Sequence, residues 1–142
     1  MAPINTHRDL SIASPSCANS RWLAPEIIDP PDSTNVDLQS KPADIFALGM
    51  LSAAVFTGEL PFGECSGITA AQRISQGSRP EYPRNAEHIG LTPEIWRFFE
   101  KCWDHDPVQR PTIDEVVMKY EEQLMRQSER LLTSPLRCHS SM

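Results

Sequence analysis

Lys41-Pro42-Ala43-Asp44-Ile45-Phe46-Ala47-Leu48-Gly49-Met50-Leu51-Ser52-Ala53-Ala54-Val55-Phe56-Thr57 is the stretch on which the fold turns. Ser40 precedes it as an N-cap, Pro42 is tolerated in a first turn, and Gly58 supplies the stop. Ile45, Phe46, Leu48, Met50, Leu51, Val55 and Phe56 cover the whole circumference of the helix so drawn. Such a helix must be buried on all sides. Asp44 is its only charge beyond Pro42, and a buried charge requires a partner. The longest near-apolar run, 45–56, is too short to span a bilayer.

Three further helices can be placed along the chain. One covers about Ile68 to Gln76, with Ile68, Ala71 and Ile74 on one face and Gly77 at its end. The next starts at the Thr92 cap with Pro93 at its first position, and Ile95, Phe99 and Cys102 follow at helical spacing. The last follows Pro111, where Thr112 and Glu115 form a capping box ahead of the stripe Ile113, Val116, Val117, Tyr120, Leu124. Residues 59–67 and 78–91 hold turn formers, and no strand pair stands out, so the expected class is mainly α. Residues 1–19 read as an irregular segment, 20–126 hold the patterned domain, and 127–142 read as a helical extension with a flexible tail through Thr133-Ser134-Pro135.

The chain has 142 residues and is 39% apolar, enough for one domain with a real core. Its 13 basic and 19 acidic residues leave a net charge of −6, which argues against nucleic acid or an anionic membrane as partner. Cys17, Cys65, Cys102 and Cys138 form no C-x-x-C pair, and Met1 opens no apolar leader segment. Reduced thiols in a soluble, cytoplasmic protein are therefore expected.

Three blocks occur in order: Arg21-Trp22-Leu23-Ala24-Pro25-Glu26; Asp44-Ile45-Phe46-Ala47-Leu48-Gly49 with Thr57-Gly58-Glu59-Leu60-Pro61-Phe62; and Cys102-Trp103-Asp104-His105-Asp106-Pro107-Val108-Gln109-Arg110-Pro111-Thr112. With Gly77-Ser78-Arg79-Pro80, they resemble the C-terminal lobe of eukaryotic protein kinases, and Arg-Trp before Ala-Pro-Glu resembles the tyrosine-kinase-like branch of the serine/threonine kinases. The resemblance covers roughly residues 20–125 and implies a truncated lobe with helices packed around one buried central helix.

What it implies for individual residues follows. Glu26 would pair with Arg110, both largely buried; the alternative is two unrelated surface charges. Asp44 would hold the backbone of the catalytic loop, or is simply an acidic residue favoured at a helix start. Ser20, Arg21, Trp22 and Leu23 would dock the substrate residue beside the phosphoacceptor, or merely pack the loop onto the helices. Trp103 reads as a core anchor rather than an aromatic ligand platform.

Phosphoryl transfer needs a Gly-rich loop, a strand lysine, a catalytic-loop Asp and Asn, and a metal-binding Asp-Phe-Gly. No G-x-G-x-x-G can be drawn from the glycines, none of Lys41, Lys101 and Lys119 lies in a Val-Ala-Ile-Lys context, and there is no Asp-Phe-Gly. His7-Arg8-Asp9-Leu10 spells the start of a catalytic loop, which makes Asp9 a weak catalytic candidate, but position 14, where the pattern wants Asn, is Ser. Only fourteen residues separate Asp9 from Ala24, too few for both the metal-binding motif and an activation loop. Chance, a decayed relic, or a lost internal piece would each explain it.

Family membership implies ATP-dependent phosphorylation of serine or threonine, with ATP and magnesium as the family's cofactors. This chain is expected to bind neither and to be inactive as it stands. The alternative is a non-catalytic, pseudokinase-like interaction module. The expected partner is a protein substrate or a regulatory protein. The missing helices of a full lobe would also leave apolar surface on the central helix.

Overall fold

The computed structural model describes residues 15–30, 40–86 and 88–133. His7-Arg8-Asp9-Leu10 and the segment after Thr133 lie outside the described residues. The chain forms two compact units, Met1–Arg110 and Pro111–Met142. The described residues hold five α-helices and two short 3₁₀ segments, and no strand. The fold is mainly helical, the class expected of a kinase C-lobe.

In the first unit a 3₁₀ turn at Pro15–Trp22 leads into α1, Pro25–Ile28. Pro25 sets the backbone of α1's first residue, and Asp29 closes the turn by donating its N–H to the Pro25 carbonyl at 2.9 Å. Then comes α2, Lys41–Thr57, bounded as its sequence dictates. Ser40 Oγ accepts from the Ala43 N–H at 3.3 Å, and Gly58 takes a left-handed φ of 71° while donating to the Ala54 carbonyl.

Ala43, Ile45, Phe46, Gly49, Met50, Ser52 and Ala53 of α2 are buried. Burial is not complete, however. Asp44, Leu51 and Val55 are exposed and Leu48 is half-buried. The spacing 44, 48, 51, 55 traces a single line along a helix of 3.6 residues per turn. The expectation of burial on every side is corrected along this line, and Asp44, lying on it in water, needs no buried partner.

Helix α3, Gly67–Ser75, is capped by Ser66 Oγ on the Thr69 N–H at 3.2 Å. It ends in a Schellman motif: Ser78 N–H reaches the Arg73 carbonyl, Gly77 N–H reaches Ile74, and Gly77 has φ 90°. Helix α4, Pro93–Cys102, buries Ile95, Trp96, Phe99 and Cys102. It crosses α2 closely at Gly49, where an added Cβ would stand 2.7 Å from Cys102 Cβ. Trp96 stacks edge-on against Trp103 and Tyr82, with ring centroids 5.4 and 5.6 Å apart.

In the second unit, α5 spans Ile113–Thr133. Its capping box forms: the Thr112 N–H donates to Glu115 Oε2 at 2.7 Å and the Glu115 N–H returns to Thr112 Oγ1 at 3.4 Å. No helix among the described residues is long and apolar enough to cross a membrane.

Candidate functional site

Arg110 organises the most heavily bonded site of the first unit. Proline 107 starts a 3₁₀ turn, Pro107–Gln109, whose end delivers Arg110 into the protein. Its guanidinium grips Glu26 with both arms, Nη1 to Oε1 at 2.7 Å and Nη2 to Oε2 at 2.8 Å. The same group donates to the carbonyls of Pro42 and Asp104, each at 2.9 Å. One side chain thus joins α1, the first turn of α2 and the turn after α4. The Arg110 side chain is fully buried and that of Glu26 is 20% exposed. Only an arginine fork can hold a carboxylate bidentately and still reach two carbonyls. Burial raises the Glu26 pKa, but the Arg110 hydrogen bonds, a bond from its own backbone amide and the Arg110 charge outweigh this and leave it below the usual carboxylate value.

A second arginine lies beside the first. The guanidinium carbons of Arg79 and Arg110 each sit 5.1 Å from the centroid of the buried Phe46 ring. Arg79 donates to the carbonyls of Trp103 at 2.8 Å and Ile74 at 3.0 Å, tying the end of α3 to the end of α4. Burial first, and then the Arg110 charge, lower its pKa, while Asp104 and Glu26 oppose the shift. Sequence reading placed Arg79 in a motif without giving it a task. Its position one residue past the Gly77-Ser78 helix stop was the available signal.

Ser20 is buried, while Arg21, Trp22 and Leu23 are half-buried. Arg21 turns its guanidinium inward, onto the carbonyls of Pro61, Phe62 and Cys65. Around that fork Phe62 adopts a left-handed φ of 53°, rare for a residue with a side chain. Trp103 is buried 5.4 Å from Trp96 and 6.3 Å from Phe99. Asp44 stands apart on the exposed line of α2. The structure therefore brings Glu26, Arg110, Arg79 and Phe46 together, sets Ser20–Leu23 against the 61–65 loop, and leaves Asp44 in solvent.

Among the described residues no group of three or more His, Cys, Asp or Glu side chains could hold a metal ion. Burial pushes the Cys102 thiol up to about 12, so it is an inert core group.

The sequence profile of the protein kinase domain matches residues 4–120. Among curated proteins, the chain is 32% identical over 105 residues to the serine/threonine-protein kinase STY46 of Arabidopsis thaliana, covering 72% of this chain and 16% of that protein. It is 34% identical over 96 residues to mitogen-activated protein kinase kinase kinase 1 of the same plant, covering 68% and 14%. It is 32% identical over 103 residues to a putative serine/threonine-protein kinase/receptor, R831, of Acanthamoeba polyphaga mimivirus, covering 72% and 6%. The chain thus spans less than a fifth of the length of each of these relatives.

Proposed function

Since the chain belongs to the protein kinase family, as a counterpart of its C-terminal lobe, we propose that it has kept the lobe's structural clamp and lost phosphate transfer. It then works as a non-catalytic module that binds a protein substrate or regulator. One observation carries the reading: the bidentate, buried Glu26–Arg110 pair is intact in a sequence lacking the Gly-rich loop, the strand lysine and Asp-Phe-Gly. Phosphoryl transfer consists mostly of positioning and charge stabilisation, and residues 1–142 supply none of those three parts for it.

His7-Arg8-Asp9-Leu10 falls inside the stretch matched by the family profile, which begins at residue 4. That supports a relic of the catalytic loop, or the loss of an internal piece, over chance. With only fourteen residues between Asp9 and Ala24, Asp9 has no metal-binding motif to work with.

For Ser20–Leu23, burial of Ser20 and the inward fork of Arg21 favour packing for those two. Trp22 and Leu23, half-buried, are left as the docking residues. The free thiols Cys65 and Cys102 fit a cytoplasmic location.

A second reading is that the sequence is a piece of a longer, active kinase; the small share of each relative that it covers favours it. Upstream coding sequence with a Gly-rich loop and strand lysine would select that reading. Calorimetric titration of the purified chain with magnesium and ATP tests the first. No binding heat is expected, and saturable binding would overturn it.

A further inference from the structure

Helix α5 leaves a regular apolar seam in water. Of its stripe Ile113, Val116, Val117, Tyr120 and Leu124, Val116 is buried and Tyr120 is half-buried. Ile113, Val117 and Leu124 are 54%, 47% and 63% exposed. Continued along the helix, the seam runs through positions 113, 117, 120, 124, 127 and 131, in alternating steps of four and three. Ile113, Tyr120 and Gln127 are seven apart, and so are Val117, Leu124 and Leu131. A seven-residue repeat drifts around a straight helix. It stays aligned when two helices supercoil about each other.

Met118, Met125 and Leu132 also stand seven apart and are exposed. They make no second seam. Their neighbours three and four residues away are Asp114, Glu121 and Ser128 on one side, and Glu115, Glu122 and Glu129 on the other. Only the first row has the apolar companions that interlocking side chains need.

We propose that α5 pairs with α5 of a second copy of this chain as a parallel, two-stranded coiled coil. The occupant follows from how the seam meets itself. In a parallel pair each seam residue faces its own counterpart. Leu124 meets Leu124, and Gln127 meets Gln127, whose amides can each donate to and accept from the other. The flanking positions then oppose Val116 to Glu121 and Gln123 to Ser128, so no like charges meet. An antiparallel pair with Ile113 opposite Leu131 would instead set Gln127 against Val117 and Glu121 against Glu121. It would bury an amide without a partner and oppose two carboxylates. The helix of 21 residues holds three heptads, and Gln127 fixes register at a cost in stability, so the dimer is weak and concentration-dependent. The pairing lies within the second unit and does not depend on whether the chain binds nucleotide.

Analytical ultracentrifugation of the full chain, from low to high micromolar concentration, tests this. The mass should rise from 16.0 kDa towards twice that value. Leu124→Glu, inside the seam, should hold the chain at the monomer mass. Met125→Glu, the same change of charge one residue away and outside the seam, should leave the dimer intact. Both side chains are exposed, and equal circular dichroism of the two variants at low concentration checks that each is folded. Gln127→Cys, oxidised at a concentration that favours the dimer, should yield a 127–127 disulfide in peptide mass spectrometry, a link that only the parallel pair allows.

A monomer at every concentration would overturn the proposal, as would a dimer lost equally in both glutamate variants. A dimer that survives Leu124→Glu would overturn it too, and its loss in Leu51→Glu would place the contact on the exposed line of α2. A dimer in which Gln127→Cys forms no 127–127 link would refute the parallel seam.

Discussion

Glu26–Arg110 and Glu64–Arg73 are carboxylate–guanidinium contacts of similar length, 2.7 and 2.5 Å, in opposite settings. In the first, the arginine side chain is fully buried and its fork also holds the Pro42 and Asp104 carbonyls. In the second, the side chains are 44% and 63% exposed, and the pair joins a loop to α3. Each carboxyl sits below its ordinary value of 4.5. For Glu64, its own backbone hydrogen bond leads and outweighs burial, and Arg73 helps. Length and pKa direction therefore do not separate the two contacts; solvent does. Removing a partner from a buried pair strands a charge where water cannot reach it, whereas removing one at the surface returns the other to water. The motif residues Glu26 and Arg110 form the buried contact of the two.

The contrast is open to attack. Arg110→Ala should destabilise the chain by about 3–5 kcal/mol in denaturant melts, because a charge and buried carbonyls lose their donor together. Stability like that of the wild type would make the buried pair no different from the exposed one. Trp103→Ala, which empties the aromatic cluster beside the clamp, should cost about 3–5 kcal/mol by the same measurement. A much smaller loss would mean that charge alone secures this region. Gly49→Ala should cost about 1–3 kcal/mol, since its methyl group must push α4 away at Cys102.

Acid titration sharpens the comparison further. A carboxyl whose folded pKa is depressed contributes stability above its unfolded value, and loses it as pH falls through the folded value. The gap in stability between wild type and Glu26→Gln should hold above pH 4.5 and narrow below it. A gap that ignores acid would detach the clamp from ionisation. The smallest effect belongs to Arg73→Ala, which should leave the melting temperature unchanged within error.

Both ends of α2 and the starts of α4 and α5 were legible because caps are local chemistry. Ser40, Thr92 and the Thr112–Glu115 box announce helix starts within a few residues of chain. Helix α1, four residues long, carries no periodicity to read. Exposed apolar surface on α2 could be expected from the missing helices of a full lobe, but its line could not be drawn from periodicity, because Leu51 and Val55 look like core residues and exposure depends on what stands opposite them. Asp44 on the same line was the lone polar hint. The Glu26–Arg110 contact, recorded as a charged pair of residues, could be anticipated from the motif resemblance. The forks of Arg21 and Arg79 could not, because their acceptors are carbonyls, which every residue carries.

The most direct measurement is a thermal melt of the purified chain with and without magnesium and ATP, run beside Arg110→Ala. A ligand that binds the folded state raises its melting point. A cooperative transition is expected in the wild type, a much lower one in the variant, and no movement of either on adding nucleotide. A rise in the wild-type melting temperature with ATP would contradict it.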